Sequence, residues 1–230
     1  MQMRNVKYLA AVFCSLVALT ASGQTEQQQW RDSLVTLNRL IELHPQSTDL
    51  RLKKAAVNIQ LNQWEYAAEE YGRVLRIDAQ NPAALYYRAY VNTHLRQYSL
   101  ARNDYETLLK ISPLNMEARL GLAVVFEKLG RMTDAMDQYN QLVEMYRDSA
   151  ICYAARAAFE TTRKQYEVAL YDWDEAIKRQ PENVDYIATK VDLLISLGRT
   201  ADAQSELQAA VRRGIPRYAL KEWFDRLGNR

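Results

Sequence analysis

The sequence predicts an all-α chain: a solenoid of stacked helix–turn–helix repeats. Three observations carry this. Small residues stand at one fixed step of 34 positions, Ser33, Ala67, Ala101, Ala135, Ala169 and Ala203, with no insertion or deletion between them. Four residues after each comes a bulky one, Leu37, Tyr71, Tyr105, Tyr139, Trp173 and Leu207. A second small column runs at the same step through Ala55, Ala89, Ala123, Ala157 and Val191. A small residue on each helix of a pair lets the two backbones approach, and a large side chain one turn on, on the same face, fills the space beside it. A fixed period of this length marks a repeat architecture, in which no unit can bury its apolar face alone.

The segment Leu85 to Pro113 shows one unit most clearly. Leu85, Ala89 and Leu95 mark one apolar face, and Tyr98, Ala101, Tyr105, Leu108 and Ile111 a second, with a tight turn between them. Trp30, Trp64, Tyr98, Met132, Tyr166 and Thr200 precede the small column by three residues, and Pro45, Pro113 and Pro181 close three of the units. The pattern resembles the tetratricopeptide repeat over roughly Gln28 to Gly214. The second half of each unit matches that family better than the first, where Leu85-Tyr86-Tyr87-Arg88-Ala89 keeps only the small residue and the bulk. The resemblance implies helical hairpins wound into a right-handed superhelix.

Taken in order, residues 1–23 read as an export signal. Arg4 and Lys7 give a positive start, Tyr8 to Ala21 is uncharged and mostly apolar, and Ala21-Ser22-Gly23 supplies small residues before Gln24. The apolar run falls short of the roughly 20 residues of a membrane span. An uncleaved anchor is the alternative; lipidation at Cys14 is disfavoured by the bulky Phe13 before it. The signal would touch the membrane only transiently, and the absence of an Asn-x-Ser/Thr sequon points to a bacterial periplasm or cell envelope.

Residues 24–29 form a Gln-rich polar leader, expected to be mobile. Residues 30–47 read as a half-repeat cap: Leu34, Leu37, Leu40 and Ile41 fall at helical spacing, in register with a second helix that lacks its first. Five full repeats follow, 48–81, 82–115, 116–149, 150–183 and 184–216. Asn81-Pro82 is a helix start, because Asn accepts from free N–H groups and Pro at the first helical position gives up nothing. Leu129-Gly130 and Leu197-Gly198 read as helix ends with glycine in a left-handed cap. Residues 217–230 close the chain with one helix, Arg217 to Leu227, whose Leu220, Trp223, Phe224 and Leu227 form a stripe suited to capping the last repeat.

Charge and chemistry exclude more than they suggest. Of 30 basic residues two, Arg4 and Lys7, lie in the signal, leaving 28 against 28 acidic ones. A neutral chain argues against a nucleic-acid partner. Cys152 alone would remain after export, so no internal disulfide forms, and its neighbours Ala150, Ile151 and Ala154 mark it as buried. His44 and His94 stand at helix ends, where a cation suits the dipole, and neither has a Cys, His or carboxylate at metal-ligand spacing. No nucleophile–base arrangement or phosphate loop stands out among seven glycines, so neither an enzyme nor a metal or cofactor site is expected. The carboxylates Glu69-Glu70 and Asp172 to Glu175 are expected to lie on a solvated outer face of the second helices.

In the family that the repeat resembles, first helices line a concave groove that holds a peptide or helix of another protein. Carried over to this chain, the lining is Leu52, Ala56, Ile59 and Gln60 in the first repeat and Tyr86, Tyr90, Thr93 and His94 in the second. It continues with Leu120, Val124, Glu127 and Lys128, then Ala154, Ala158 and Thr161, then Asp185, Ala188 and Asp192. The family's clamp for a peptide carboxylate needs Lys and Asn where this chain has Leu52/Ala56 and Tyr86/Tyr90, so no such clamp is implied. The expected function is a non-enzymatic interaction scaffold. The alternatives are packing of Tyr86 and Tyr90 between helices, and a structural subunit that self-associates or docks into a larger envelope assembly through its convex face or C-terminal helix.

Overall fold

The structure, a computed structural model, describes residues 25–228. The expected export segment lies outside them. Among the described residues all regular structure is helical. After α1 (25–43) come α2 (Thr48–Gln60), α3 (Trp64–Ile77), α4 (Pro82–His94), α5 (Tyr98–Ile111) and α6 (Met116–Lys128). Then follow α7 (Met132–Met145), α8 (Ala150–Thr162), α9 (Tyr166–Arg179), α10 (Val184–Ser196) and α11 (Thr200–Arg212). A 3-10 turn (Arg217–Leu220) leads into α12 (Lys221–Gly228). The chain forms two compact units that divide between Ala118 and Arg119. Each is a stack of helical hairpins, the all-α solenoid architecture the sequence predicts.

The small columns explain the stacking. Ala55 and Ala67, Ala89 and Ala101, Ala123 and Ala135, and Ala157 and Ala169 are wholly buried, one on each helix of a hairpin. The bulky column, from Tyr71 to Leu207, is buried beside them. In the first unit Tyr71, Val74 and Val91 close over Ala55, Ala67 and Ala84, with Leu52, Ile59 and Trp64 at the margin. In the second, Trp173, Leu194 and Leu207 belong to one cluster that takes in Leu220 and receives Trp223, Phe224 and Leu227 from α12. Full burial of such a side chain contributes about 1.5–3 kcal/mol, which supplies the stability that helices of this length lack in isolation.

Two further columns set the turns. At the start of α2, α4 and α10 the side chains of Ser47, Asn81 and Asn183 accept from free backbone N–H groups, and Asn115 does the same for Ala118. Between the helices of each hairpin one residue is left-handed: Asn62, Arg96, Gly130, Lys164 and Gly198, with φ from 57° to 74°. The next residue's N–H reaches back to the carbonyl five positions before, as Gln63 does to Asn58 and Gln165 to Glu160. This closes the helix end in a Schellman turn. Sequence alone exposes only the two glycine members of that column.

The helix ends differ from expectation in two places. Residues 25–29, expected to be a mobile leader, are the first turns of α1. Glu and Gln are good helix formers, and Gln28 Nε2 donates to Asp32 Oδ1 at 2.9 Å. The single helix expected from Arg217 is a tight 3-10 turn followed by α12. Leu220 is buried at the junction, and the Arg217 guanidinium lies 3.8 Å over the Phe224 ring.

Candidate functional site

Asn81 and Pro82 fix where α4 begins, and from there the helical period sets Tyr86, Tyr90 and His94 along one side of it. Tyr86 is half-buried. Its ring meets Tyr105 edge-on at 6.0 Å and Tyr87 at 5.2 Å. Burial, and after it the charge of Glu117, raises its phenol above the usual tyrosine range. Tyr90 stays 45% exposed. Trp64, at the first position of α3, stacks on His94 at 3.7 Å and lies 6.2 Å from Tyr90. The result is an aromatic patch of two ring groups on the first unit, Trp64 with Tyr90 and His94, and Tyr86 with Tyr87 and Tyr105. Trp64 and the exposed Tyr87 belong to it; the sequence showed Trp64 only as a member of a repeat column and gave no sign of Tyr87's role.

The other expected lining residues divide. On α2, Leu52 and Ile59 lean into the core margin while Ala56 and Gln60 face outward. Thr93 turns its hydroxyl onto the Ala89 carbonyl at 2.8 Å. On α6, which ends in the second unit, Leu120 is half-buried, Val124 and Lys128 are exposed, and Glu127 accepts from the Tyr139 hydroxyl. Ala154 and Ala188 are buried, so they offer no surface, whereas Ala158 and Asp185 do. Asp192 is occupied: it accepts from Trp223 Nε1 at 3.0 Å and pairs with Arg226 at 2.6 Å. The C-terminal helix has taken that position.

The carboxylate clusters require a correction. Glu70 and Asp172, expected in solvent, are buried. They belong to a column of ion pairs that joins the two helices of a hairpin at the same step of 34 residues: Lys54 with Glu70, Arg88 with Asp104, Arg156 with Asp172 and Lys190 with Glu206. In the third repeat the two positions hold Leu122 and Gln138. The second helices are therefore not simply solvated on this side. A cleft opens over the pair in three repeats, with volumes of about 350, 430 and 270 Å³ beside Glu70, Asp104 and Glu206.

Glu70 gathers three cations: Lys54 at 2.9 Å, Arg73 at 3.0 Å and Arg51 at 3.1 Å. Arg156 does the reverse. It donates to both oxygens of Asp172, at 2.5 and 2.8 Å, and has Glu160 at 3.9 Å as a second acid. Burial first, and then the charge of Asp172, pushes the Glu160 carboxyl up to about 7, with Arg156 opposing. Among the described residues no group of three acidic, His or Cys side chains is placed to hold a metal ion, and no helix is long and apolar enough to cross a membrane.

Stacked helical hairpins of this kind define a helical-repeat solenoid. Residues 94–150 match the family model described as tetratricopeptide repeat. The fold is that of a solenoid of tetratricopeptide repeats. Among solved structures it resembles a tetratricopeptide repeat protein from Parabacteroides merdae, at 19% identity and a TM-score of 0.65 over 89% of this chain and 80% of that one. It resembles MamA from Desulfovibrio magneticus, at 16% identity and a TM-score of 0.61 over 72% and 93% of the two chains. YrrB, described as having an unusual peptide-binding site, is 18% identical with a TM-score of 0.56 over 76% and 91%. At these identities the likeness shows the fold. No curated protein matches in sequence.

Proposed function

We propose that the chain is a non-enzymatic adaptor, exported to the periplasm or envelope of a bacterium, that holds a peptide or helix of another protein against its first helices. The observation that carries the reading is the aromatic patch around Tyr86 and Tyr90. On the first unit Trp64 stacks face to face on His94 and lies tilted against Tyr90, which is open to solvent, and Tyr86 and Tyr87 meet on the same helix. Rigid rings with polar tips supply large contact area at small entropic loss, which is why they dominate interface energetics. Leu52, Ala56 and Ile59 border this surface in the first unit; Leu120, Val124 and Lys128 are the corresponding positions in the second. The peptide-binding site named for YrrB supports the class of ligand.

A second reading rests on a different column. Tyr66, Leu100 and Val168, at one position of the second helices, are each more than half exposed. Apolar side chains repeated on that face suit docking into a larger assembly. A photo-crosslinking amino acid placed at Tyr90 or at Tyr66 in the native host separates the two. A single partner captured from position 90, and lost in a Tyr86→Ser, Tyr90→Ser chain whose circular dichroism stays helical, is the outcome expected of an aromatic-face adaptor. Capture from position 66 with none from position 90 removes it.

A further inference from the structure

Glu160 occupies a place where the other repeats carry a neutral side chain: Asn58, Asn92, Phe126 and Leu194. It is 2% exposed, and its Oε2 is buried with no hydrogen-bond donor to meet it. Its one cation is already committed. Arg156 directs Nε and Nη2 to Asp172 and Nη1 to Asn140 of α7, and stands 3.9 Å from Glu160. Asp172, facing from α9, is fully buried. From α7 the groups turned toward this corner are neutral: Asn140, and the Tyr139 ring packed on Phe159. One guanidinium thus serves two buried carboxyl groups. An ionised carboxylate with an unmet oxygen in such a place is strongly disfavoured, whereas a protonated one becomes the missing donor.

We propose that Glu160 binds a proton in the folded protein and donates it in a hydrogen bond to Asp172, making the fourth repeat a pH-sensitive joint between α8 and α9. With the proton on, Oε2 has a partner and the charge count at Arg156 is balanced. With it off, two like charges face each other across the hairpin. The direction of the Glu160 shift agrees, since its carboxyl stands at about 7 against an ordinary value of 4.5. A group whose proton is held more tightly in the folded state stabilises fully below its unfolded value. That contribution fades as pH rises, and it is gone above about 7. The inference does not depend on what the aromatic patch binds.

Urea unfolding of the full chain tests it, beside Glu160→Gln, which keeps the shape and removes the charge. Between roughly pH 5.5 and pH 8 the wild-type unfolding constant is expected to rise about 25-fold more than that of the variant. Parallel profiles overturn the proposal. A second readout needs no stable variant: carboxyl-carbon NMR of the glutamate-labelled wild type should show one resonance titrating near neutrality. Titration of every glutamate below about pH 5 is equally fatal to it.

Discussion

In the first repeat Glu70 is surrounded by Arg51, Lys54 and Arg73; in the fourth, Arg156 is shared by Asp172 and Glu160. The helices, the spacing and the buried position are the same, and the surplus partners are opposite in kind, cations in the first and acids in the fourth. The third repeat, with Leu122 and Gln138, has neither charge and folds the same way. The pair is therefore not what makes the hairpin. The small columns do that, and the polar corner is free to carry too many cations, too many acids, or none. What the fold does not tolerate is half a pair, because a buried charge stripped of its partner keeps its desolvation penalty and loses its compensation.

The largest effect should come from removing the anion that three cations share. Glu70→Gln leaves Arg51, Lys54 and Arg73 facing one another, at an expected loss of about 3 kcal/mol. Asp172→Asn should lose only about half as much, because Glu160 is already in place to serve Arg156 as a substitute counter-ion. Urea unfolding at neutral pH measures both. Equal losses would show that Glu160 does not act as a reserve acid. The second repeat then asks whether the pair matters as a pair. Arg88→Leu alone strands Asp104, for an expected loss of about 2–3 kcal/mol, while Arg88→Leu with Asp104→Leu should return to within about 1 kcal/mol of wild type. A double variant as unstable as the sum of its singles would mean that the two residues act independently.

How much of this was legible follows from what each position demands. Ala89 and Ala101 stand where two backbones nearly touch, so sterics leave a trace in a single residue type and the repeat is visible at once. The ion pairs satisfy a demand between two positions sixteen apart, and many residue pairs meet it. Lys54 with Glu70 shares no letter with Arg88 and Asp104 or with Arg156 and Asp172, and Glu69-Glu70 or Asp172-Trp173-Asp174-Glu175 look like solvated runs when read locally. The signal was present, in complementary signs read down the columns at the repeat step. Tyr86 and Tyr90 could be placed on one side of α4 from helical spacing alone. Asp192 could not be assigned to α12, because that contact depends on where Trp223 and Arg226 arrive after the last turn.

The smallest effect compares the hairpin turns, where the same left-handed position is filled by Gly130 and Gly198 in two repeats and by Asn62, Arg96 and Lys164 in the others. A side chain there adds Cβ strain that glycine avoids, and glycine's greater freedom when unfolded offsets part of the difference. Lys164→Gly should therefore stabilise by about 0.5–1 kcal/mol, and Asn62→Gly by less, since Asn enters this region more readily than Lys. Gly130→Ala should lose about 1 kcal/mol through backbone conformation alone. An added Cβ at Gly130 meets no atom within 4 Å, so no steric clash contributes. Thermal unfolding of the three variants orders them. A stabilised Gly130→Ala chain would show that the turn is set by the flanking hairpin rather than by the residue in its left-handed position.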